Sequence, residues 1–168
     1  MLRNKILLIS AAFFVLHTSC ERYENLPESN VVINELMAVN STIVADQNGE
    51  YDDWIEMYNK SSLIMNLSGY YITDSKSNLV KWKIPAGTTI PANGYLIIWA
   101  DCDTLQAGLH SNFKLSSGGE KLLFVNPGKL IIDEVDYPAQ TLELSYSRNP
   151  DGTGSFLWQL PTFSTRND

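Results

Sequence analysis

From residue 31 to residue 137 the chain is a succession of apolar runs of strand length, each cut short by Gly, Pro or Asn. The runs span 31–36, 54–58, 70–73, 80–84, 95–100, 121–125 and 130–137. They are rich in Ile, Val, Tyr, Trp and Phe, side chains that suit a pleated, half-buried surface. The breaks are Asn48-Gly49, Ser68-Gly69, Pro85-Ala86-Gly87, Pro91-Ala92-Asn93-Gly94, Gly118-Gly119, Pro127-Gly128 and Asp151-Gly152. In such breaks Gly or Asn accepts positive φ and Pro presets φ. Short strands at this spacing predict an all-β chain, a sandwich or a barrel. The scattered Gly and Pro also disfavour a bundle of long helices.

Alternation supports this unevenly. Ile55 and Met57 share one strand face, and Trp54, Glu56 and Tyr58 the other. Trp82 and Ile84 face away from Lys81 and Lys83. The run Tyr95-Leu96-Ile97-Ile98-Trp99 is apolar throughout and predicts a central strand covered on both faces. The segment 34–40 is ambiguous. Ile33, Leu36, Met37 and Asn40 have helical spacing and permit a turn or two of helix. As a strand, the same stretch puts the charged Glu35 on the face of Val31 and Ile33, a local conflict that marks a bulge or a functional position.

The first residues read as an address. Arg3 and Lys5 precede an apolar run over 6–16, which is too short to cross a bilayer comfortably and has the basic front of a secretory signal. His17 suits an ordinary cleavage site badly. Thr18-Ser19-Cys20-Glu21 instead resembles the lipobox of Bacteroidetes-type bacterial lipoproteins, in which the Cys is acylated. Leu16 stands four residues before Cys20, where that pattern usually has Leu at three. The alternatives are an uncleaved anchor or an ordinary signal with an unusual site. The expected organisation is a lipoprotein signal over 1–19, a lipidated Cys20 with a polar tether over 20–30, and one domain over 31–168. A chain of 168 residues has room for one such domain and a short appendage. Loss of the signal removes two bases and no acid, so the charge moves from −7 to −9. So acidic a surface is a poor grip for a phosphate backbone, which argues against nucleic acid as a partner. Acylation of Cys20 leaves Cys102 unpaired, whereas a Cys20–Cys102 disulfide is the competing fate.

Several segments together resemble the lamin-tail domain family. They are Val32-Ile33-Asn34-Glu35-Leu36-Met37-Ala38, Asp52-Asp53-Trp54-Ile55-Glu56-Met57-Tyr58-Asn59, Asn66-Leu67-Ser68-Gly69-Tyr70, Ile84-Pro85-Ala86-Gly87, Gly108-Leu109-His110-Ser111-Asn112-Phe113 and Ser145-Tyr146-Ser147-Arg148-Asn149-Pro150-Asp151-Gly152. The resemblance covers about residues 31–168 and implies an immunoglobulin-like β-sandwich. It implies function weakly, because that fold serves as an interaction platform in many settings.

The densest polar constellation is Asp46-Gln47-Asn48-Gly49-Glu50-Tyr51-Asp52-Asp53. Asp46, Asn48, Glu50 and Asp52 alternate around a Gly, like the oxygen-rich start of a calcium loop. Glu35 and Asn40 would add oxygens if the first strand lay beside this loop. The spacing is not that of an EF-hand, and a solvated acidic loop with Asp46 or Asn48 capping a turn is the plainer reading. Ca2+ is therefore the one candidate cofactor, and none is required. Trp54, Trp82, Trp99 and Trp158 read as packing residues before they read as a stacking platform.

No catalytic residues are assigned. After the signal is lost His110 is the one histidine, and the chain has no Gly-x-Ser-x-Gly elbow, P-loop or His-Glu-x-x-His. Asp101 and Asp103 near His110 can be drawn as an acid–base set, but a structural histidine is the plainer reading. Cys102 is expected to be buried or inert. The expectation is a non-catalytic binding or adhesion module, lipid-anchored in the bacterial cell envelope, that recognises a protein or a glycan. It faces the periplasm or the cell surface. An accessory subunit of a secreted hydrolase or kinase-like enzyme is the alternative, and a stand-alone hydrolase using His110 a distant third.

Overall fold

The computed structural model describes residues 29–140 and 143–167. The signal-like segment over 1–19, Cys20 and most of the tether lie outside the described residues. In chain order the strands are β1 (Val31–Met37), β2 (Trp54–Asn59), β3 (Met65–Asn66), β4 (Tyr71–Thr73), β5 (Trp82–Lys83), β6 (Thr89–Ile90), β7 (Tyr95–Trp99), β8 (Gly119–Val125), β9 (Ile131–Pro138), β10 (Ser145–Asn149) and β11 (Ser155–Gln159). One sheet has the order β11-β10-β1-β2-β7 and a second β5-β4-β8-β9, while β3 and β6 form a small ribbon. All the strand pairs in these sheets are antiparallel. The two larger sheets pack face to face as an immunoglobulin-like sandwich.

The core is the inner face of each sheet. Ile33, Leu36, Ile55, Met57 and Ile98 of the first meet Ile72, Leu122, Phe124, Val135 and Tyr137 of the second. Each such side chain contributes about 1.5–3 kcal/mol on burial. The outer face of the five-stranded sheet is covered too. Trp54, Trp99 and Met37 form a second cluster, closed by Val44, Ile97 and Phe163. Phe163 meets Trp54 edge-on at 5.2 Å between ring centroids and Trp99 at 5.7 Å.

Several expectations are corrected. The 95–99 run is not central: β7 closes one edge of its sheet, and β1, buried along its whole length, is the middle strand. The run is apolar throughout because Leu96 and Ile98 face the core while Ile97 and Trp99 face the second cluster. The helical reading of 34–40 fails, since β1 carries on to Met37. Its register with β2 shifts between Ile33 and Glu35, so the conflict at Glu35 marks a bulge. Strands β10 and β11 had no counterpart among the apolar runs.

Register gives the sandwich two ends. At one end the chain enters at Asn30, whose carbonyl accepts from Lys60 N at 2.7 Å, and Ser61 O accepts from Asn93 N at 3.0 Å. At the other end the 46–52 loop meets the 101–107 loop, with Gln106 Nε2 donating to Glu50 Oε2 at 2.8 Å.

Gly119 opens β8 at φ +87°, and a Cβ there would stand 2.7 Å from Tyr137 O and Pro138 C. Gly119→Ala is expected to cost about 1–3 kcal/mol, read as a lowered melting temperature with the same folded-state circular dichroism.

Candidate functional site

The acidic end is built from a tight loop. Asp46 Oδ1 accepts from Asn48 N at 2.8 Å and from Glu50 N at 2.9 Å, and Asp46 N donates to Glu50 O at 2.8 Å. The loop thus folds back on Asp46 and brings carboxylate oxygens of Asp46, Glu50 and Asp52 within 4.8 Å of one another. Asp46 is only 9% exposed, and its Oδ2 is buried with no hydrogen-bond partner. A cleft of about 280 Å³ runs beside the loop, lined by Glu50, Asp52, Asp101 and Asp103, with Lys114 on its wall. Burial raises the Asp52 carboxyl above its usual range, helped by the charge of Asp101 and opposed by Lys114.

Of the residues expected here, the three carboxylates converge, and Asn48 enters through its backbone amide. Asn40 and Glu35 supply no oxygen to the loop. Asn40 Nδ2 donates to Val44 O (2.6 Å) and Asp52 O (2.9 Å), and its Oδ1 takes the Ile43 and Val44 amides. It therefore pins the loop from beneath.

Glu35 belongs to a second constellation, under the C-terminal segment. Its Oε1 accepts from Ser145 Oγ (2.5 Å) and Thr162 N (3.0 Å), and its Oε2 from Thr162 Oγ1 (2.6 Å). Glu56, its register partner on β2, accepts from Asn34 Nδ2 at 3.1 Å and Ser164 N at 2.6 Å. Asp151 accepts from the same Asn34 amide (2.9 Å), from Asn167 N (3.2 Å) and from Tyr95 OH (2.6 Å). The network fastens 162–167 across the sheet. Sequence reasoning missed the network; its signals were the misplaced charge at Glu35 and Glu56 sharing a strand face with Trp54.

His110 is buried. The Gln47 amide donates both to the Ala107 carbonyl and to His110 Nε2, the latter at 2.8 Å. With Nε2 accepting, Nδ1 carries the proton toward Asp101 Oδ2 at 2.5 Å. The neighbouring Ser111 Oγ donates to Phe113 O instead of facing the ring. The pair holds the 101–110 loop to the sheet end. Cys102, expected to be buried or inert, is exposed, on a loop residue at φ +67°.

The remaining distinctive surface is aromatic, where the margin of the main core comes to the surface and Tyr146 and Phe156 pack against it. Tyr146 on β10 stacks on Phe156 (5.3 Å) and tilts against Trp158 (4.9 Å), both on β11. The Arg148 guanidinium lies 4.4 Å over Phe156. All four are half-buried, and among the described residues β11 pairs with β10 alone, so its outer edge is open. Trp54, Trp82 and Trp99 are packing residues, as expected; Trp158 stands on this shelf.

A two-layer antiparallel sandwich with an open edge strand and closely tied polar loops defines a class of immunoglobulin-like domains. The family model for the Lamin Tail Domain matches residues 25–139, and the chain belongs to that family. The match stops before β10 and β11. No curated protein matches the chain. Domains of this family are β-sandwiches that serve in general as non-catalytic interaction modules.

Burial pushes Glu56 up to about 8 and Asp53 up to about 7, and raises Glu35 and Asp133 in the same direction. The hydrogen bonds that Glu56 accepts from Asn34 and Ser164 pull the other way without outweighing burial and the charge of Glu35. The folded chain thus keeps protons that the unfolded chain has already released. Stability from these groups is full below the unfolded carboxylate pKa and is lost as pH rises toward 8. Melting temperature measured from pH 5 to pH 9 is expected to fall across this window, with a shallower slope in Glu56→Gln.

Proposed function

We propose that this chain is a non-catalytic binding module, lipid-anchored through Cys20 in the bacterial cell envelope, that engages a protein or glycan partner. The observation that carries the reading is the aromatic shelf of Tyr146, Phe156 and Trp158 beside the open edge of β11. Half-buried aromatics offer a large rigid contact area at little entropic cost, and stack on sugar rings or peptide side chains alike. The unpaired backbone of β11 can add a strand from a partner. The Thr18-Ser19-Cys20-Glu21 motif supports the anchor.

Envelope extract passed over the immobilised protein tests both parts. The native chain is expected to retain one stoichiometric protein or glycan, and Phe156→Ala with Trp158→Ala to weaken that binding about tenfold or more. Cys20→Ser is expected to move the protein from the membrane fraction to the soluble one. Retention unchanged in the double variant would sink the shelf as the binding surface.

The acidic loop supports a calcium ion as a structural element of the same module. Oxygens spanning 4.8 Å match a cation with ligands about 2.3–2.6 Å away on opposite sides. The buried, unpartnered Asp46 Oδ2 is an acceptor left over after the loop has satisfied its own amides. Asp46, Glu50 and Asp52 would hold the ion, with water completing its shell. Calcium at roughly ten times its Kd is expected to raise the melting temperature by about 3–6 °C. Asp46→Asn is expected to abolish that shift, and no shift in the native chain at millimolar calcium would remove the site.

A further inference from the structure

The end of the sandwich where the chain enters carries a second unusual surface. Leu63 and Ile64 are adjacent aliphatics, 71% and 70% exposed. They are not on a slack loop. Asn59 Nδ2 donates to Leu63 O at 2.7 Å and to Pro91 O at 2.7 Å, while Asn59 Oδ1 takes Ser61 N (3.0 Å) and Ser61 Oγ (2.8 Å). Ser61 O accepts from Asn93 N, and Leu63 N donates to Ser61 Oγ at 3.3 Å. A buried Asn and a Ser thus form a small frame that holds two apolar side chains out in water. A rigid apolar tip has already given up the freedom that binding would otherwise cost.

Its position indicates what it meets. Asn30 is hydrogen-bonded to Lys60, at the base of the tip, so the chain enters the domain beside Leu63 and Ile64. Eight residues lie between Cys20 and Ser29. Such a tether reaches at most about 30 Å when extended and averages about 15–18 Å when flexible. The seven residues of β1 alone run about 23 Å away from this end. The entry end therefore faces the surface that holds Cys20. The charges agree with this polarity. Residues 59–66 contain Lys60 and no acid, whereas Asp46, Glu50, Asp52, Asp101 and Asp103 gather at the opposite end. An anionic lipid surface repels the second end more strongly than the tip.

We propose that the Leu63–Ile64 tip rests in the lipid surface and fixes the orientation of the domain, so that the acidic end points away from the membrane. This rests on the reading of Cys20 as the anchor. The test uses the lipidated protein in phosphatidylethanolamine–phosphatidylglycerol vesicles that contain a lipid with a spin-labelled acyl chain. An environment-sensitive fluorophore is placed on Leu63→Cys in a Cys102→Ser background, and in a second sample on the native Cys102, which is exposed at the far end. The expected result is a blue-shifted emission at position 63, quenched several-fold more strongly than at 102. Vesicle-bound protein with both labels unquenched, or both quenched alike, overturns the tip contact while leaving the anchor standing. Protein that fails to float with the vesicles overturns the anchor, and the oriented contact with it.

Discussion

The fold turns on what happens to the backbone of Ile33. The bulge in β1 leaves its amide and carbonyl to side chains. Ile33 N donates to Asp133 Oδ2 at 2.8 Å, across the sandwich from β9. Ile33 O accepts from Arg148 Nε at 2.9 Å, from the neighbouring β10. Arg148 Nη2 then donates to Asp133 Oδ1 at 3.0 Å and closes the ring. One charged pair thus satisfies a buried peptide, joins the two sheets and aligns β10 beside β1. Burial raises the Asp133 carboxyl and the Arg148 charge opposes it, which is the balance a buried pair has to strike. Loss of either partner would strand the other charge together with an unpaired peptide.

The bulge also prepares the sheet's outer face. It aims Asn34 at Glu56, Asp151 and Gly152, and places Glu35 opposite Glu56. Two buried glutamates side by side are met by a set of donors, Asn34 on β1, Ser145 on β10, and Thr162 and Ser164 of the C-terminal segment. Phe163, carried on the same segment, covers Trp54 and Trp99. Polar fastening and apolar cover are therefore one device.

Most strands over 31–137 were legible because their apolar runs end at turn residues whose φ preferences are local, while the two-residue β3 falls in none of those runs. The bulge was legible as a misplaced charge at Glu35. Strands β10 and β11 were not, since Ser145, Ser147, Arg148 and Asn149 carry no apolar pattern and Ser155–Gln159 holds only the three apolar residues Phe156, Leu157 and Trp158. The edge position of β7 was hidden because burial on both faces is the same signal whether it comes from sheets or from a crossing segment. Of the acidic loop, the spacing showed that carboxylates would gather. It did not show that Asn48 would act through its amide, or that Asn40 would tie the loop down.

The placement of the C-terminal fastening bears on how the chain becomes a domain at all. Glu35 and its partner Thr162 stand 127 residues apart, and Ile33 reaches Asp133 across 100. The middle strand is thus laid down early and completed late, with costly loop closures between. The matched stretch 25–139 contains neither β10 nor 162–167. A fragment with that boundary would leave Glu35 without its Ser145 and Thr162 donors, Glu56 with Asn34 alone, a bare sheet edge and an uncovered pair of tryptophans. The sheet around β1 is therefore complete only when the C-terminal segment is in place.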